Sequence, residues 1–264
     1  QMTVLGAALN LSQRILSLDP DKAVSYATQV TEAAGRRSMR MTDFLSLTCK
    51  LVHAAQYRPA GRPYLTCMFT ALRQASRSGA KRVRIGRGVQ RDLRWWQRAL
   101  AVPNDGVAFF PLNHFPPSGS ADLLEFAYDA SGLEGLGAAM LRDDGNGEVV
   151  CYFIEHAWTD DEKLFHINVK EGLAGYAALT SFYPLAPQRH ALAHGDNTTE
   201  TITSAKNKSR SALQSVVLQH RAAFALQTGV VTRVRRVSSE DNVLADPVSR
   251  LARATFKDEA RKLG

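Results

Sequence analysis

Apolar and polar positions alternate with different periods in the two halves of this chain, and the change of period divides it. Val4 to Leu9 and Ile15 to Leu18 are short apolar runs that stop at Asp19-Pro20. They predict a small hairpin, followed by a helix over Asp21 to Ala34. From Thr42 the spacing is helical: Phe44, Leu45, Leu47, Leu51, Val52 and Ala55 fall three or four apart, with Thr42 or Asp43 available as a cap. Pro59-Ala-Gly-Arg-Pro63 breaks this helix. Tyr64, Leu65, Met68, Phe69 and Leu72 then predict a second helix, and Val89, Leu93, Trp96 and Leu100 a third. Asn104 to Ser120, rich in Pro and Gly, reads as a linker.

After Ser120 the period shortens. Leu123 to Tyr128, Gly135 to Leu141 and Val149 to Ile154 are strand-like runs separated by turns, Asp129-Ala-Ser-Gly132 and the polar Arg142 to Gly147. They predict an antiparallel meander. A helix is expected from about Asn168 to Phe182 and a strand near His190 to His194. A long helical stretch over Thr198 to Gln227 should break near Asn207, before a fifth strand at Val230 to Val237 and a closing helix at Asn242 to Arg253. The order β-β-β-α-β-α-β-α indicates an α/β fold, a mixed five-stranded sheet flanked by helices and preceded by a small arginine-rich helical region.

Charge sharpens the division. Residues 36–98 hold fifteen Lys and Arg against Asp43 and Asp92, whereas residues 121–171 hold twelve acids against Arg142, Lys163 and Lys170, within a net charge of +8. A basic half suits a polyanion and an acidic half suits cations. No apolar run reaches the roughly 18–20 residues of a membrane span, and no secretory leader is recognisable at the start. Cys49, Cys67 and Cys151 are scattered, which argues against a disulfide framework or thiolate zinc site and for an intracellular setting.

Four acids stand out, and each has an ordinary structural explanation. Asp129 could make an Asx-turn, Glu171 has capping-box spacing from Asn168, Asp196 precedes a helix start, and Asp246 precedes Pro247 at a helix boundary. Their distribution is what matters. Asp129 ends the first strand, Asp196 the fourth, Glu171 lies in the first turn of the first long helix and Asp246 in the last. If the first and fourth strands are neighbours, these ends converge. Converging carboxylates repel, and hard divalent cations such as Mg²⁺ or Mn²⁺ relieve that repulsion through all-oxygen ligation. Two such ions roughly 3.5–4 Å apart can activate water and stabilise the leaving oxygen of a phosphodiester.

The blocks around these acids resemble the RNase H domains of retroelements. Phe126-Ala-Tyr-Asp129-Ala-Ser-Gly132 with Gly135-Leu-Gly-Ala138 is similar to their first catalytic strand. Ile167-Asn-Val-Lys-Glu171 with Ala174 and Ala178 resembles their I-x-x-x-E-x-x-A helix, and His194-Gly-Asp196-Asn197 their T-D-N block. Asp241-Asn-Val-Leu-Ala-Asp246-Pro-Val-Ser-Arg250 is close to their N-x-x-A-D-x-L-S-R ending and is the most specific of the four. Upstream, Ser46 to Leu51 with Ala55, Pro59 to Leu65 and Asp92-Leu-Arg-Trp-Trp96 resemble the region after the polymerase palm in gypsy-type and DIRS-like reverse transcriptases.

The resemblance implies residues 1–35 as a palm- or thumb-like remnant and 36–103 as a basic connection-like region. It implies 104–120 as linker, 121–252 as the RNase H-like domain and 253–264 as a C-terminal tail. It further implies a two-metal endonuclease that cuts the RNA strand of RNA–DNA hybrids, leaving a 5′ phosphate and a 3′ hydroxyl. Asp129, Glu171, Asp196 and Asp246 would hold two Mg²⁺ or Mn²⁺ ions. Arg58, Arg62, Lys81, Arg82, Arg84, Arg87, Ser131, Asn197 and Arg236 would contact nucleic acid. A reverse transcriptase polymerase domain is an expected partner, since no Y-x-D-D motif occurs and polymerisation is not expected of this chain. Arg236 stands where many relatives carry a His, ten residues before the final Asp. That substitution keeps open a catalytically silent, nucleic-acid-binding or polymerase-supporting module. A DNA-cutting transposase or resolvase of the same fold is disfavoured by the Asn242 to Arg250 block.

Overall fold

The segments with helical and strand periods fold into two units, residues 1–114 and 115–264. The structure, a computed structural model, describes residues 2–4, 6–10, 12, 15–102, 107–108, 115–143 and 146–263.

In the first unit the expected hairpin pairs β2 (Ala7–Asn10) with β3 (Ile15–Leu18). They lie in an antiparallel sheet ordered β1 (Met2–Val4), β2, β3 and β6 (Val107–Ala108). The Asp19 carboxylate caps α1 (Pro20–Ala34), accepting from the amides of Asp21 and Lys22. β4 (Ser38–Arg40) leads into α2 (Met41–Tyr57), a 3₁₀ segment (Pro59–Leu65) and α3 (Thr66–Arg77). β5 (Arg82–Arg84) and α4 (Arg87–Ala101) follow. Val30 and Ala33 of α1 are buried, as are Phe44, Leu47 and Leu51 of α2, Met68 of α3, and Leu93 and Trp96 of α4. Gly61 is required where the proline-bounded segment meets this core, because a Cβ there would lie 2.3 Å from the Trp96 ring. The β4–β5 ribbon was not expected: each strand has three residues and a single buried apolar position, Met39 or Val83. Its other face exposes Arg82 and Arg84, and Arg87, Arg91, Arg94 and Arg98 are exposed along α4. The linker expected at 104–120 falls largely outside the described residues, as does Leu5.

The second unit contains the meander β7 (Leu123–Ala130), β8 (Gly135–Asp143) and β9 (Val149–Ala157), then α5 (Asp160–Lys163) and α6 (Ile167–Phe182). β10 (His190–Gly195), α7 (Thr198–Lys206), α8 (Ala212–Thr228), β11 (Val231–Arg236), α9 (Ala245–Ser249) and α10 (Arg253–Leu263) complete it. The sheet order is β11-β10-β7-β8-β9, parallel across β11-β10-β7 and antiparallel across β7-β8-β9. Leu124, Phe126 and Tyr128 of β7 share one core with Ala174, Ala178, Leu179 and Phe182 of α6. Ala139, Leu244, Val248 and Phe256 form a second, smaller cluster. The break expected near Asn207 is present, with Asn207 in the left-handed conformation at φ 49°. The closing helix differs from expectation: it is only Ala245–Ser249, stopped at Leu251 with φ 56°. The stretch read as a tail from 253 is helical and buries Phe256. Among the described residues no helix is long and apolar enough to cross a membrane, and the three cysteines are free.

Candidate metal centre and nucleic-acid contacts

Strands β7 and β10 run side by side in parallel with Ala127 opposite His194, so the residues that follow on each strand lie at the same end of the sheet. Asp129 is the penultimate residue of β7, and Asp196 directly follows β10. Glu171 projects to the same place from the early part of α6, one position beyond its first turn. One carboxylate oxygen from each of Asp129, Glu171 and Asp196 lies within 4.8 Å of the others.

The ordinary explanations for these three acids are taken up by their neighbours. Ser131, not Asp129, makes the turn after β7: its buried hydroxyl accepts from the amides of Glu134 and Gly135, both at 2.8 Å. His166, not Asn168 with Glu171, caps α6 by accepting from the Asn168 amide at 3.2 Å. Asn197, not Asp196, caps α7 by accepting from the Glu200 amide at 3.0 Å. The acids are therefore free of capping work.

Electrostatics follow from burial and crowding. Burial raises the Asp129 pKa and the Asp196 and Asp246 charges add to it, while the Ser249 hydroxyl, which donates to Asp129 Oδ2, draws it back. Burial and the charges of Asp129, Asp196 and Glu200 push Glu171 up to about 9. Glu171 Oε2 is buried with no hydrogen-bond donor. A desolvated carboxylate oxygen without a donor is costly, and a cation is what would satisfy it. Three converging carboxylates with no nitrogen or sulfur donor suit a hard divalent ion such as Mg²⁺ or Mn²⁺. The residues present fit such an ion.

Asp246 stands apart from the three. It lies close enough to raise the Asp129 pKa, yet its carboxylate accepts from Arg250 at 2.9 Å. The helix that carries it is seated by Gly137, the register partner of Asp129 on β8. A Cβ at Gly137 would lie 2.2 Å from the Ser249 amide nitrogen, so only glycine lets the α9 backbone approach this closely. That approach brings the Ser249 hydroxyl onto Asp129.

Two serines not singled out as site residues thus hold the acids: Ser249 on Asp129, and Ser239, which donates to Asp196 Oδ2 at 2.8 Å. Ser249 sits three residues after Asp246 in the most specific sequence block, a spacing that points it to the same helical face. Ser239 carries no such signal. The expected nucleic-acid contacts fall into two groups. Asn197 and Arg236 are at the sheet end with the acids, Arg236 opposite Gly195 on β11 and exposed. Arg58, Arg62, Lys81, Arg82, Arg84 and Arg87 belong to the first unit. There Arg58 donates to the Val102 carbonyl and Arg82 to Ser38, while Lys81, Arg84 and Arg87 are exposed.

The strand order, the parallel β7–β10 pair and the acids at its carboxyl end define an RNase H-like α/β fold in the second unit. No family model matches the chain, and no curated protein does. Solved structures do. RNase H1 of Halobacterium salinarum is 17% identical with a TM-score of 0.37, over 50% of this chain and 98% of that one. The N-terminal RNase H domain of Rv2228c from Mycobacterium tuberculosis, a maltose-binding-protein fusion, is 17% identical with a TM-score of 0.36, over 47% and 95%. A foamy viral protease-reverse transcriptase in complex with RNA/DNA hybrid is 12% identical with a TM-score of 0.33, over 89% of this chain but 29% of that one. The fold assignment rests on the strand order and pairing of this chain.

Proposed function

We propose that this chain is a ribonuclease H-type endonuclease that cuts the RNA strand of RNA–DNA hybrids, and that it belongs to a gypsy-type or DIRS-like retroelement reverse transcriptase. The observation that carries the metal site is Glu171: a buried carboxylate with an unpartnered oxygen, facing Asp129 and Asp196. Asp129, Glu171, Asp196 and Asp246 are the proposed ligands. Two divalent cations, when bound, supply an activated water and neutralise charge building on the phosphodiester. Ser249 and Ser239 orient Asp129 and Asp196 by donating to one oxygen of each, leaving the other for ligation. Asp246 joins by releasing Arg250, whose guanidinium then becomes available to a phosphate. Asn197, Arg236 and the Ser131 turn lie at the substrate end of the sheet. The basic residues of the first unit (Arg58, Arg62, Lys81, Arg82, Arg84 and Arg87) neutralise backbone phosphates, the main source of sequence-independent affinity. Hybrid shape and the 2′-hydroxyl supply discrimination.

The test is Mg²⁺- or Mn²⁺-dependent cleavage of an RNA–DNA hybrid labelled on each strand, beside DNA and RNA duplexes. Only the RNA strand of the hybrid should be cut, and Asp196→Asn should abolish the cut while hybrid binding persists. Cleavage surviving that substitution would sink the metal assignment. A second reading, a silent nucleic-acid-binding or polymerase-supporting module, is favoured by the Asp246–Arg250 ion pair together with Arg236 in place of a His. It predicts hybrid binding with no cleavage at any metal concentration.

A further inference from the structure

Behind the carboxylates lies a second set of buried polar groups. Glu200, on α7, is 1% exposed. One of its oxygens accepts from the Tyr128 hydroxyl and the other from the Ser204 hydroxyl, and Arg221 Nη1 of α8 lies 3.6 Å away and donates to Ser204. Tyr128, also 1% exposed, precedes Asp129 on β7 and faces the opposite side of the sheet.

Tyr128 touches the segments that carry the other acids. A Cβ on Gly175, one helical turn beyond Glu171, would lie 3.1 Å from the Tyr128 ring, so the ring lies against the α6 backbone. A Cβ on Gly195, the residue before Asp196, would lie 2.6 Å from the ring and 2.7 Å from its hydroxyl oxygen. The Tyr128 carbonyl accepts from Asn242 Nδ2 at 3.2 Å, and the Asn242 carbonyl accepts from the Asp246 amide at 3.2 Å. One side chain and its own carbonyl thus meet α6, the end of β10 and the approach to α9.

We infer that Tyr128, anchored through its hydroxyl by the buried Glu200–Ser204–Arg221 network, is a positioning residue that sets the spacing of Asp129, Glu171 and Asp196 for divalent cations. This rests on the metal-site reading above. A buried ion pair with its hydrogen bonds contributes little net stability against an apolar replacement, so its use here lies in geometry. Because Gly175 and Gly195 carry no side chain, the ring lies directly against both backbone segments, and its hydroxyl anchor decides where along them it sits.

The experiment is Mn²⁺ titration followed by electron paramagnetic resonance, which reads metal binding without turnover, on folded protein well below its unfolding temperature. Tyr128→Phe keeps the ring and loses the anchor. Its Mn²⁺ affinity should fall about tenfold, the lower range for changes behind metal ligands, with the loss in hybrid cleavage appearing in kcat and not in KM. Glu200→Ala should lose at least as much. Glu200→Gln keeps an acceptor for one of the two hydroxyls and can only donate to the other, so it should recover part of that loss. If Glu200→Ala fails to fold, the comparison of Tyr128→Phe with Glu200→Gln decides the matter. Wild-type affinity in folded Tyr128→Phe overturns the positioning role and leaves the metal site standing. Absence of Mn²⁺ binding by the unaltered protein overturns both.

Discussion

Each unit buries a carboxylate, and the two are treated differently. Asp92 in the first unit is fully buried, but its Oδ2 accepts from the Cys67 amide at 3.0 Å and Arg91 lies 3.9 Å away. Burial pushes its pKa to about 6, held there by that amide and guanidinium. Glu171 in the second unit is 3% exposed, has an oxygen with no donor and faces other acids, and it is pushed to about 9. The two differ by the like charges that face Glu171 and by its one unpartnered oxygen, not by burial. A lone buried acid with its hydrogen bonds made is a structural device, whereas several that face one another with a buried oxygen left unpartnered are poised for a cation.

That contrast can be broken in several ways. Glu171→Gln should lower hybrid cleavage about a thousandfold, the rate equivalent of several kcal/mol of lost charge stabilisation. It should also raise the metal-free melting temperature at pH 7, because folding no longer has to protonate a group that is ionised in the unfolded chain, while removing most of the stabilisation that Mn²⁺ gives the unaltered protein. Melting curves with equal Mn²⁺ shifts in both proteins would contradict it.

Asp92 should behave in the opposite sense. Its folded pKa lies above its unfolded value, so its charged form opposes folding above pH 6. The penalty disappears as pH falls from about 6 toward 3.8. Linkage puts the gain at no more than about 3 kcal/mol. Urea unfolding at pH 7 and pH 4 should show this gain as the difference between the unaltered protein and Asp92→Asn. No difference between them would remove Asp92 as a cost. Nuclease activity should be unaffected by Asp92→Asn at pH 7.

The exposed bases of the first unit offer a smaller effect. Replacing Arg82, Arg84 and Arg87 with Ala should reduce the slope of log affinity against log salt by about 2 to 3 for hybrid binding, leaving kcat at saturation unchanged. An unchanged slope would remove these residues from the interface. Smallest is Ser239→Ala, which removes one donor from Asp196. It should cost about 1 kcal/mol, or roughly fivefold in Mn²⁺ affinity by titration.

Much of the second unit was legible in the sequence because its strands alternate cleanly and its acids sit at the ends of periodic runs. Asp129, Glu171 and Asp196 converge as strand order required, since adjacency of the first and fourth strands follows from a helical crossover between them. Less was legible where the signal is only tertiary. Asp246 pairs with Arg250, an i, i+4 contact that the spacing permits but that competes with ligation. Glu200 lies in the first turn of α7, and nothing local in the sequence marks it as buried beneath Tyr128. The β4–β5 ribbon escaped because three residues are too few to show a period. The closing helix was drawn too long because the left-handed turn at Leu251 is made by a leucine and not by the glycine that usually announces it.

The hydrogen bond from Ser249 to Asp129 spans 120 residues of chain. Contacts of such separation form late, after the loop between them has been closed at an entropic cost. During synthesis the sheet's first three strands and α6 leave the ribosome well before α9 does. Asp129 is therefore made long before the segment that steadies it. A nascent chain halted after β10 would carry the acids of β7 and α6 without the helix whose serine holds Asp129, so the order of synthesis delays the finished geometry until the whole unit has closed.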